Sequence, residues 1–254
     1  MQIPNTEVSM WQHQDIFWGH MGYAWIFWII LAIIALNGKS FEATRRHGKY
    51  LFIKVNNETW VVFHFGMTGF VRYYKDDSKA PEHVHCEIEF KNGFKLAYDS
   101  QRKLGHVGLI KSLDHFIRHR DLGVDARSEE LDEKKFADLL KERRGAVKSF
   151  LMNQNVIAGI GNIYSDEILY QSRIHPKKDV KKLSDQEITD LYEKMNEVLD
   201  TAIDVRADPD RMPSFFLIPR RKEGEQCTIC GGRIKKIKVN SRGTYFCSKH
   251  QKGK

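Results

Sequence analysis

The chain has 254 residues, and its 41 lysines and arginines exceed its 33 aspartates and glutamates, which gives a net charge of +8. Only one of the four cysteines, Cys86, lies outside the C-terminal segment, which excludes a disulfide framework and fits a reducing cytoplasm. The length accommodates two modest domains and a small finger. The excess of positive charge indicates a polyanionic partner such as nucleic acid.

The N-terminal part contains a long apolar segment. From Ile16 to Leu36 there is no Asp, Glu, Lys or Arg. Such a segment is long enough to cross a bilayer as a helix, and the basic residues Lys39, Arg45 and Arg46 would keep the rest of the chain in the cytoplasm. The alternatives are a buried helix of a soluble domain and an altered start of the gene. We therefore treat residues 1–37 as a separate, atypical segment that could tether the protein to a membrane.

Residues 38–125 carry the pattern of β-strands. Apolar side chains alternate or run together in FEATRRHGKYLFIKV, TWVVFHFGMTGFVRYY, HVHCEIEF and FKLAYDS, and turn-forming segments separate these runs. The pattern predicts an antiparallel, sandwich-like domain.

Residues 126–212 have a helical period instead. Helices are predicted at 133–142 and 147–154, and a third begins at the cap formed by Ser184 and Glu187 and runs to Ala202. The glycine-rich turn at 159–162 joins two helices, so its N–H groups could face a phosphate. The alternative is an ordinary tight turn between helices.

The last segment, residues 213–254, carries two pairs of soft metal ligands. Cys227 and Cys230 are followed by Cys247 and His250, with two short strands between the pairs. This spacing predicts one structural Zn²⁺ that closes a β-hairpin finger. The alternative is a set of unrelated surface thiols. The finger is rich in Lys and Arg, which indicates contact with a phosphate backbone, although a basic tail that only aids solubility is the other interpretation.

Several motifs in order resemble the formamidopyrimidine-DNA glycosylase/endonuclease VIII family of repair enzymes. They are RRHGKYLFI (45–53), HFGMTG (64–69), YDSQRKLG (98–105), VKSFLMNQNVIAGIGNIYSDEILYQSRIHP (147–176) and GRIKKIKVNSRGTYFCSKHQ (232–251). The resemblance implies an α+β fold with a β-sandwich-like N-terminal domain, a helix–two-turn–helix domain and a zinc β-hairpin. His250 stands where most fingers of the family carry Cys, and histidine also binds zinc.

The resemblance also implies roles for particular residues. In the first domain, Lys49 would contact the phosphate beside the lesion and assist the chemistry. Met67 would fill the gap left by the flipped nucleotide, with Leu104 as a second, smaller wedge, and Arg102 would read the orphaned base. In the rest of the chain, the expected phosphate contacts come from Lys148, Asn162 and Arg242.

The start of the chain departs from the family pattern. The family's nucleophile is an N-terminal proline followed by glutamate, whereas this chain begins with Met1 and Gln2. An amine at Met1, at Pro4 or on Lys49 would then have to attack the sugar, with Gln2 in the place of the acidic residue.

Two functions of different classes follow. The first is a base-excision repair glycosylase and AP lyase acting on oxidised bases in duplex DNA, working as a monomer in the cytoplasm on the nucleoid. The second is a catalytically impaired protein that binds damaged DNA and is tethered to a membrane through residues 16–36. An RNA-binding zinc protein is a third interpretation. The preferred lesion would depend on the loop around residues 204–221.

Overall fold

The structure is a computed structural model that describes residues 8–11, 36–55 and 59–252, with the backbone alone for residues 8–11. The chain divides into two compact units, Met1–Arg120 and Asp121–Lys254. Met1, Gln2, Pro4 and all of the apolar segment except Leu36 lie outside the described residues. Within the described part of the chain, no helix has the length and apolar character needed to cross a membrane.

The first unit contains two antiparallel sheets. The strands are β1 (Val8–Trp11), β2 (Phe41–His47), β3 (Tyr50–Val55), β4 (Thr59–His64), β5 (Phe70–Tyr74), β6 (Val84–Phe90), β7 (Lys95–Asp99) and β8 (His106–Ile110). One sheet has the strand order β1-β6-β7-β5 and the other the order β2-β3-β4-β8. The β-rich character predicted from the alternating pattern is confirmed.

Side chains from both sheets form one core. Strands β3 and β4 contribute Ile53, Val61 and Phe63, and strands β6 and β7 contribute Ile88 and Tyr98. Leu36, the last residue of the apolar segment, is buried in the same core. Burying apolar area between two sheets stabilises this unit by roughly 25 cal/mol per Å² of apolar surface removed from water. A short helix, α1 (Leu113–His119), follows β8 and is capped by Ser112.

The second unit is helical up to residue 220. Its helices are α2 (Glu133–Lys141), α3 (Val147–Met152), α4 (Asn162–Gln171) and α5 (Asp185–Asp204), and the short strands β9 (Val124–Asp125) and β10 (Ile157–Ala158) pair in parallel. Ser184 and Glu187 form a complete capping box, so the predicted start of α5 is confirmed. Apolar residues of all four helices share one core, which includes Phe136, Leu151, Ile168 and Leu191.

A two-stranded hairpin ends the chain. Strands β11 (Ile234–Val239) and β12 (Arg242–Cys247) are joined by Asn240 and Ser241, both with positive φ, as a tight two-residue hairpin turn requires. Its core residues Ile234 and Cys247 pack with Tyr170 of α4 and with Leu217. The finger and the helical domain are therefore parts of one compact unit.

Candidate functional site

Two loops of the first unit meet and present apolar side chains to solvent. The β4–β5 turn contacts the loop after β7, because the backbone N–H of Arg102 donates to Thr68 Oγ1 at 3.2 Å. A Cβ on Gly66 would lie 2.6 Å from the Leu104 carbonyl carbon, so only glycine permits this approach. Met67 and Leu104 are 68% and 53% exposed. The structure thus brings together Met67, Arg102 and Leu104, three of the residues predicted from the sequence.

A second group in the first unit surrounds His64. Its ring stacks on His106 with centroids 5.4 Å apart, and its Nδ1 accepts the N–H of Gly66 at 3.2 Å. Burial lowers the pKa of His64, and the positive charges of Lys49 and Arg120 lower it further. Lys49 itself is exposed in the two-residue turn between β2 and β3, beside Gly48 at positive φ. This group is electropositive and suits a phosphate.

The four predicted zinc ligands converge in the second unit. The ligand atoms of Cys227, Cys230, Cys247 and His250 all lie within 4.8 Å of one another. Cys230 Sγ is 3.6 Å from Cys227 Sγ and 3.4 Å from Cys247 Sγ. A tetrahedral site with Zn–S bonds of about 2.3 Å has edges of about 3.7 Å, so the cluster fits zinc and the pairing of ligands predicted from the spacing is confirmed.

Tyr170 of α4 contacts two of these ligands. The Nδ1 atom of His250 faces the sulfurs and lies 3.3 Å from Cys227 Sγ. The Nε2 atom of the same ring donates to the Tyr170 carbonyl at 3.3 Å. The Tyr170 hydroxyl lies 3.1 Å from Cys227 Sγ. Because ligand orientation depends on such outer contacts, Tyr170 fixes the ring of His250 with Nδ1 towards the metal.

A pocket of about 360 Å³ lies between the start of α3 and the turn of the finger. Arg143, Arg144 and Arg242 line it, and Asn240 Nδ2 donates to Ser149 Oγ at 2.7 Å across it. Arg242 is exposed at the first position of β12. Three guanidinium groups around one cleft suit phosphate oxygens, since the planar fork of arginine matches their geometry.

Lys148 borders the same cleft, but its ammonium group is turned into the protein, although a phosphate contact was predicted for it. Its side chain is 0% exposed, and its ammonium group is enclosed by Asn162, Thr244 and Asp166. Asn162, at the start of α4, is half-buried and lies next to Lys148, with Nζ and Oδ1 separated by 2.7 Å. The structure thus brings Lys148 and Asn162 together, but only the second of them reaches solvent.

Glu167 holds the segment that precedes the finger. Its buried carboxylate accepts the backbone N–H groups of Leu217 at 3.1 Å and Ile218 at 2.8 Å. Burial raises the pKa of Glu167 to about 7. The backbone around residues 217 and 218 is therefore tied to α4 by a group that titrates near neutral pH.

This pKa predicts a pH dependence of stability. Because the folded state holds the proton up to about pH 7 and the unfolded chain releases it near its ordinary value of 4.5, the contribution is present in full below pH 4.5 and is lost as the pH rises to about 7. Between pH 5 and 7.5 the free energy of unfolding of the wild type should fall by about 2 kcal/mol relative to Glu167→Gln. Urea unfolding at both pH values, with saturating zinc, measures this difference. Parallel profiles of the two proteins would contradict it.

Several residues of these sites were not identified from the sequence. Asp166, Tyr170, Arg221 and Thr244 contact the ligand or phosphate-site residues, but their partners are distant in the chain. His64 stands inside the HFGMTG motif, which was its only signal. Met1 and Gln2, both predicted at the catalytic centre, lie outside the described residues.

The chain matches three domains of known families in succession. The N-terminal domain of formamidopyrimidine-DNA glycosylase matches residues 30–107, its H2TH domain matches residues 122–213, and the zinc finger found in FPG and IleRS matches residues 224–249. Formamidopyrimidine-DNA glycosylase of Lactococcus lactis subsp. cremoris is 33% identical over 224 residues, 84% of this chain and 82% of the relative. That of Syntrophomonas wolfei subsp. wolfei is 34% identical over 231 residues, 87% and 85% of the two chains.

Solved structures have the same fold. The Lactococcus lactis enzyme bound non-covalently to DNA with an AP site gives a TM-score of 0.83 at 28% identity, over 99% of this chain and 94% of that one. MutM in complex with DNA containing carbocyclic 8-oxo-G gives a TM-score of 0.82 at 29% identity, over 98% and 93%.

The fold and the zinc site define a zinc-finger DNA-binding protein of the helix–two-turn–helix class, and the predicted α+β fold is confirmed. With relatives above 30% identity along most of its length, the chain belongs to the formamidopyrimidine-DNA glycosylase family. It is a base-excision repair DNA glycosylase that binds DNA and carries one structural zinc.

Proposed function

We propose that the enzyme removes oxidised bases of the formamidopyrimidine and 8-oxoguanine type from duplex DNA and then cleaves the strand as an AP lyase. The observation that carries this proposal is the exposed tip of Met67 and Leu104 beside Arg102. Large apolar side chains at loop tips are costly in water, but they suit insertion between unstacked bases. A related structure contains 8-oxo-G in its DNA, and another contains an AP site.

Each of the site residues has a separate role in base flipping. Met67 fills the space of the extruded nucleotide, Leu104 packs beside it, and the guanidinium of Arg102 donates to the partner base. Lys49, next to His64, binds the phosphate beside the lesion and assists the reaction. Asn162 and Arg242 hold flanking phosphates from the second unit.

The reaction then proceeds through an amine of the protein. The amine forms a bond to C1′ while the bond to the damaged base breaks, and the base leaves with the electron pair and takes up a proton. Opening of the C1′–O4′ bond gives an imine, loss of a C2′ proton expels the 3′ phosphate, and a further elimination expels the 5′ phosphate. Borohydride adds hydride to the imine carbon and makes the bond to the protein permanent.

Borohydride trapping therefore tests the proposal. The full chain is incubated with three duplexes that differ at one position: 8-oxoguanine, an abasic site or undamaged guanine. We expect covalent adducts with the first two, and mass mapping of the adduct identifies the nucleophile among Met1, Pro4 and Lys49. Met67→Ala should reduce trapping on the 8-oxoguanine duplex about tenfold and affect the abasic duplex less, because an abasic sugar leaves no base to unstack. Ile203→Ala, an exposed apolar residue of α5, is the matched control.

The outcomes separate the two functions. Tight binding to the abasic duplex without any adduct would replace the proposal by the alternative, a damaged-DNA-binding protein without catalytic activity. Equal affinity for damaged duplex, undamaged duplex and RNA would contradict both. The proposal takes the enzyme as a monomer acting on the nucleoid, and a membrane tether depends on residues 16–36, of which the structure describes only Leu36.

A further inference from the structure

We propose that Lys148 does not bind DNA and instead positions Asn162 and the turn at Arg242 as one phosphate-binding unit. This inference rests on the phosphate contacts that we propose for Asn162 and Arg242. It is carried by the buried ammonium group of Lys148, which donates to Asn162 Oδ1 at 2.7 Å and to Thr244 Oγ1 at 2.6 Å and forms an ion pair with Asp166 Oδ1 at 2.6 Å. Two of its three donors are used by Asn162 and Thr244, and the side chain is 0% exposed beside a buried carboxylate, so the ammonium group is closed to a phosphate.

The contact with Asn162 fixes the orientation of its amide. Oδ1 accepts from Lys148, while Nδ2 donates to the Gly243 carbonyl at 3.1 Å. An amide rotated by 180° would place its NH₂ group against the ammonium and its oxygen against a carbonyl. The second hydrogen of Nδ2 therefore has one direction, and within the described residues it is the hydrogen available to a phosphate.

The contact with Thr244 reaches Arg242. The Thr244 hydroxyl accepts from Lys148 and donates to the Arg242 carbonyl at 3.2 Å. Lys148 thus contacts Asn162 directly and the Arg242 backbone through one hydroxyl group. The side chain of Arg242 is exposed, but its backbone is held by a residue that belongs to α3.

Asp166 and Arg221 keep Lys148 in this position. Asp166 is fully buried, and its Oδ2 accepts Nη2 of Arg221 at 2.7 Å and the backbone N–H of Tyr245 at 3.1 Å. The guanidinium carbon of Arg221 lies 4.6 Å from the centroid of the Tyr245 ring. Burial lowers the pKa of Lys148, and the charge of Asp166 opposes that effect. One carboxylate therefore joins α3, α4, the segment before the finger and β12.

The test compares Lys148→Met with Asn162→Ala, Arg242→Ala and the pairwise double variants. Affinity for an abasic duplex is measured between 50 and 200 mM salt, and Lys134→Met on the exposed face of α2 is the control for the loss of one charge. We expect Lys148→Met and Asn162→Ala each to weaken binding about tenfold, and the double variant to bind more weakly than Asn162→Ala only by the severalfold effect that Lys148 exerts through Arg242.

The salt dependence distinguishes a direct contact from positioning. The slope of log Kd against log salt should fall by about 0.9 in Arg242→Ala and stay at the wild-type value in Lys148→Met. A fall of the same size in Lys148→Met, or independent effects of Lys148→Met and Asn162→Ala, would overturn the inference. Wild-type affinity in Asn162→Ala would also overturn the inference, because it would show that Asn162 does not contact a phosphate. The proposed glycosylase activity would still stand if borohydride trapping remained intact.

A milder variant keeps the test decisive if Lys148→Met does not fold. Thr244→Val removes only the hydroxyl group between Lys148 and the Arg242 carbonyl. It should weaken binding severalfold in the wild type and have no effect in Arg242→Ala. Zinc content and the thermal melt, measured for every variant, confirm that the finger is present. An effect of Thr244→Val that persists in Arg242→Ala would count against the inference.

Discussion

Replacing Cys247 with serine is expected to remove zinc from the protein and to weaken binding to damaged duplex DNA by roughly 100-fold. The reason is the small size of the finger, because an isolated two-stranded hairpin is marginal in water. Arg242 lies on the same hairpin, and Gly243 and Thr244 hold Asn162 and Lys148. Loss of zinc would therefore disturb the phosphate site of the helical domain as well as that of the finger.

Metal analysis of the purified protein and fluorescence anisotropy with an abasic duplex measure the two effects. Cys86→Ala is the matched control, since Cys86 is buried among the strands of the first unit. That variant should retain one zinc per chain and the wild-type affinity. A Cys247→Ser protein that still holds one zinc, or that binds DNA normally without it, would contradict the structural role of the metal.

The metal site was predictable because its information is local. Two residue pairs with metal-ligand spacing on either side of two strands suffice to identify a zinc finger, and the described structure brings all four ligand atoms within 4.8 Å. The capping box at Ser184 and Glu187 was predictable for the same reason. In each case the interacting groups lie within one element or two adjacent ones.

The role of Lys148 was not predictable from its neighbours in the chain. The resemblance to the family implied a phosphate contact for Lys148, and nothing nearby in the chain shows that its side chain is buried. Its partner Thr244 is 96 residues away, and the partner of Asp166, Arg221, is 55 residues away. Only the packing of the finger on α4 places these charges together.

Tyr170 illustrates the same limit. In the sequence it is one apolar position on a helix, and an aromatic residue there predicts packing. Its carbonyl meets His250 and its hydroxyl group meets Cys227, 80 and 57 residues away. Orientation of a metal ligand by a residue of another domain leaves no pattern in a single sequence.

Replacing Asp166 with asparagine is expected to lower the free energy of unfolding of the second unit by about 3–5 kcal/mol. The carboxylate is fully buried between the ammonium group of Lys148 at 2.6 Å and the guanidinium of Arg221 at 2.7 Å. A neutral amide would leave two cations close together without a counter-charge, and its NH₂ group would face one of them. Urea unfolding followed by circular dichroism at 222 nm measures this loss, because four of the five described helices belong to the second unit.

The tryptophan signal provides an internal control, since all five tryptophans lie between residues 11 and 60, in the first unit. The fluorescence transition of Asp166→Asn should therefore match that of the wild type. Adding Lys148→Met to Asp166→Asn should recover part of the lost stability, because the second cation is removed and the partly exposed Arg221 can turn towards water. If the double variant instead loses the full stability cost of Lys148→Met in addition to that of Asp166→Asn, the two residues stabilise the protein independently. The buried carboxylate would then stabilise the finger through Arg221 and Tyr245 alone.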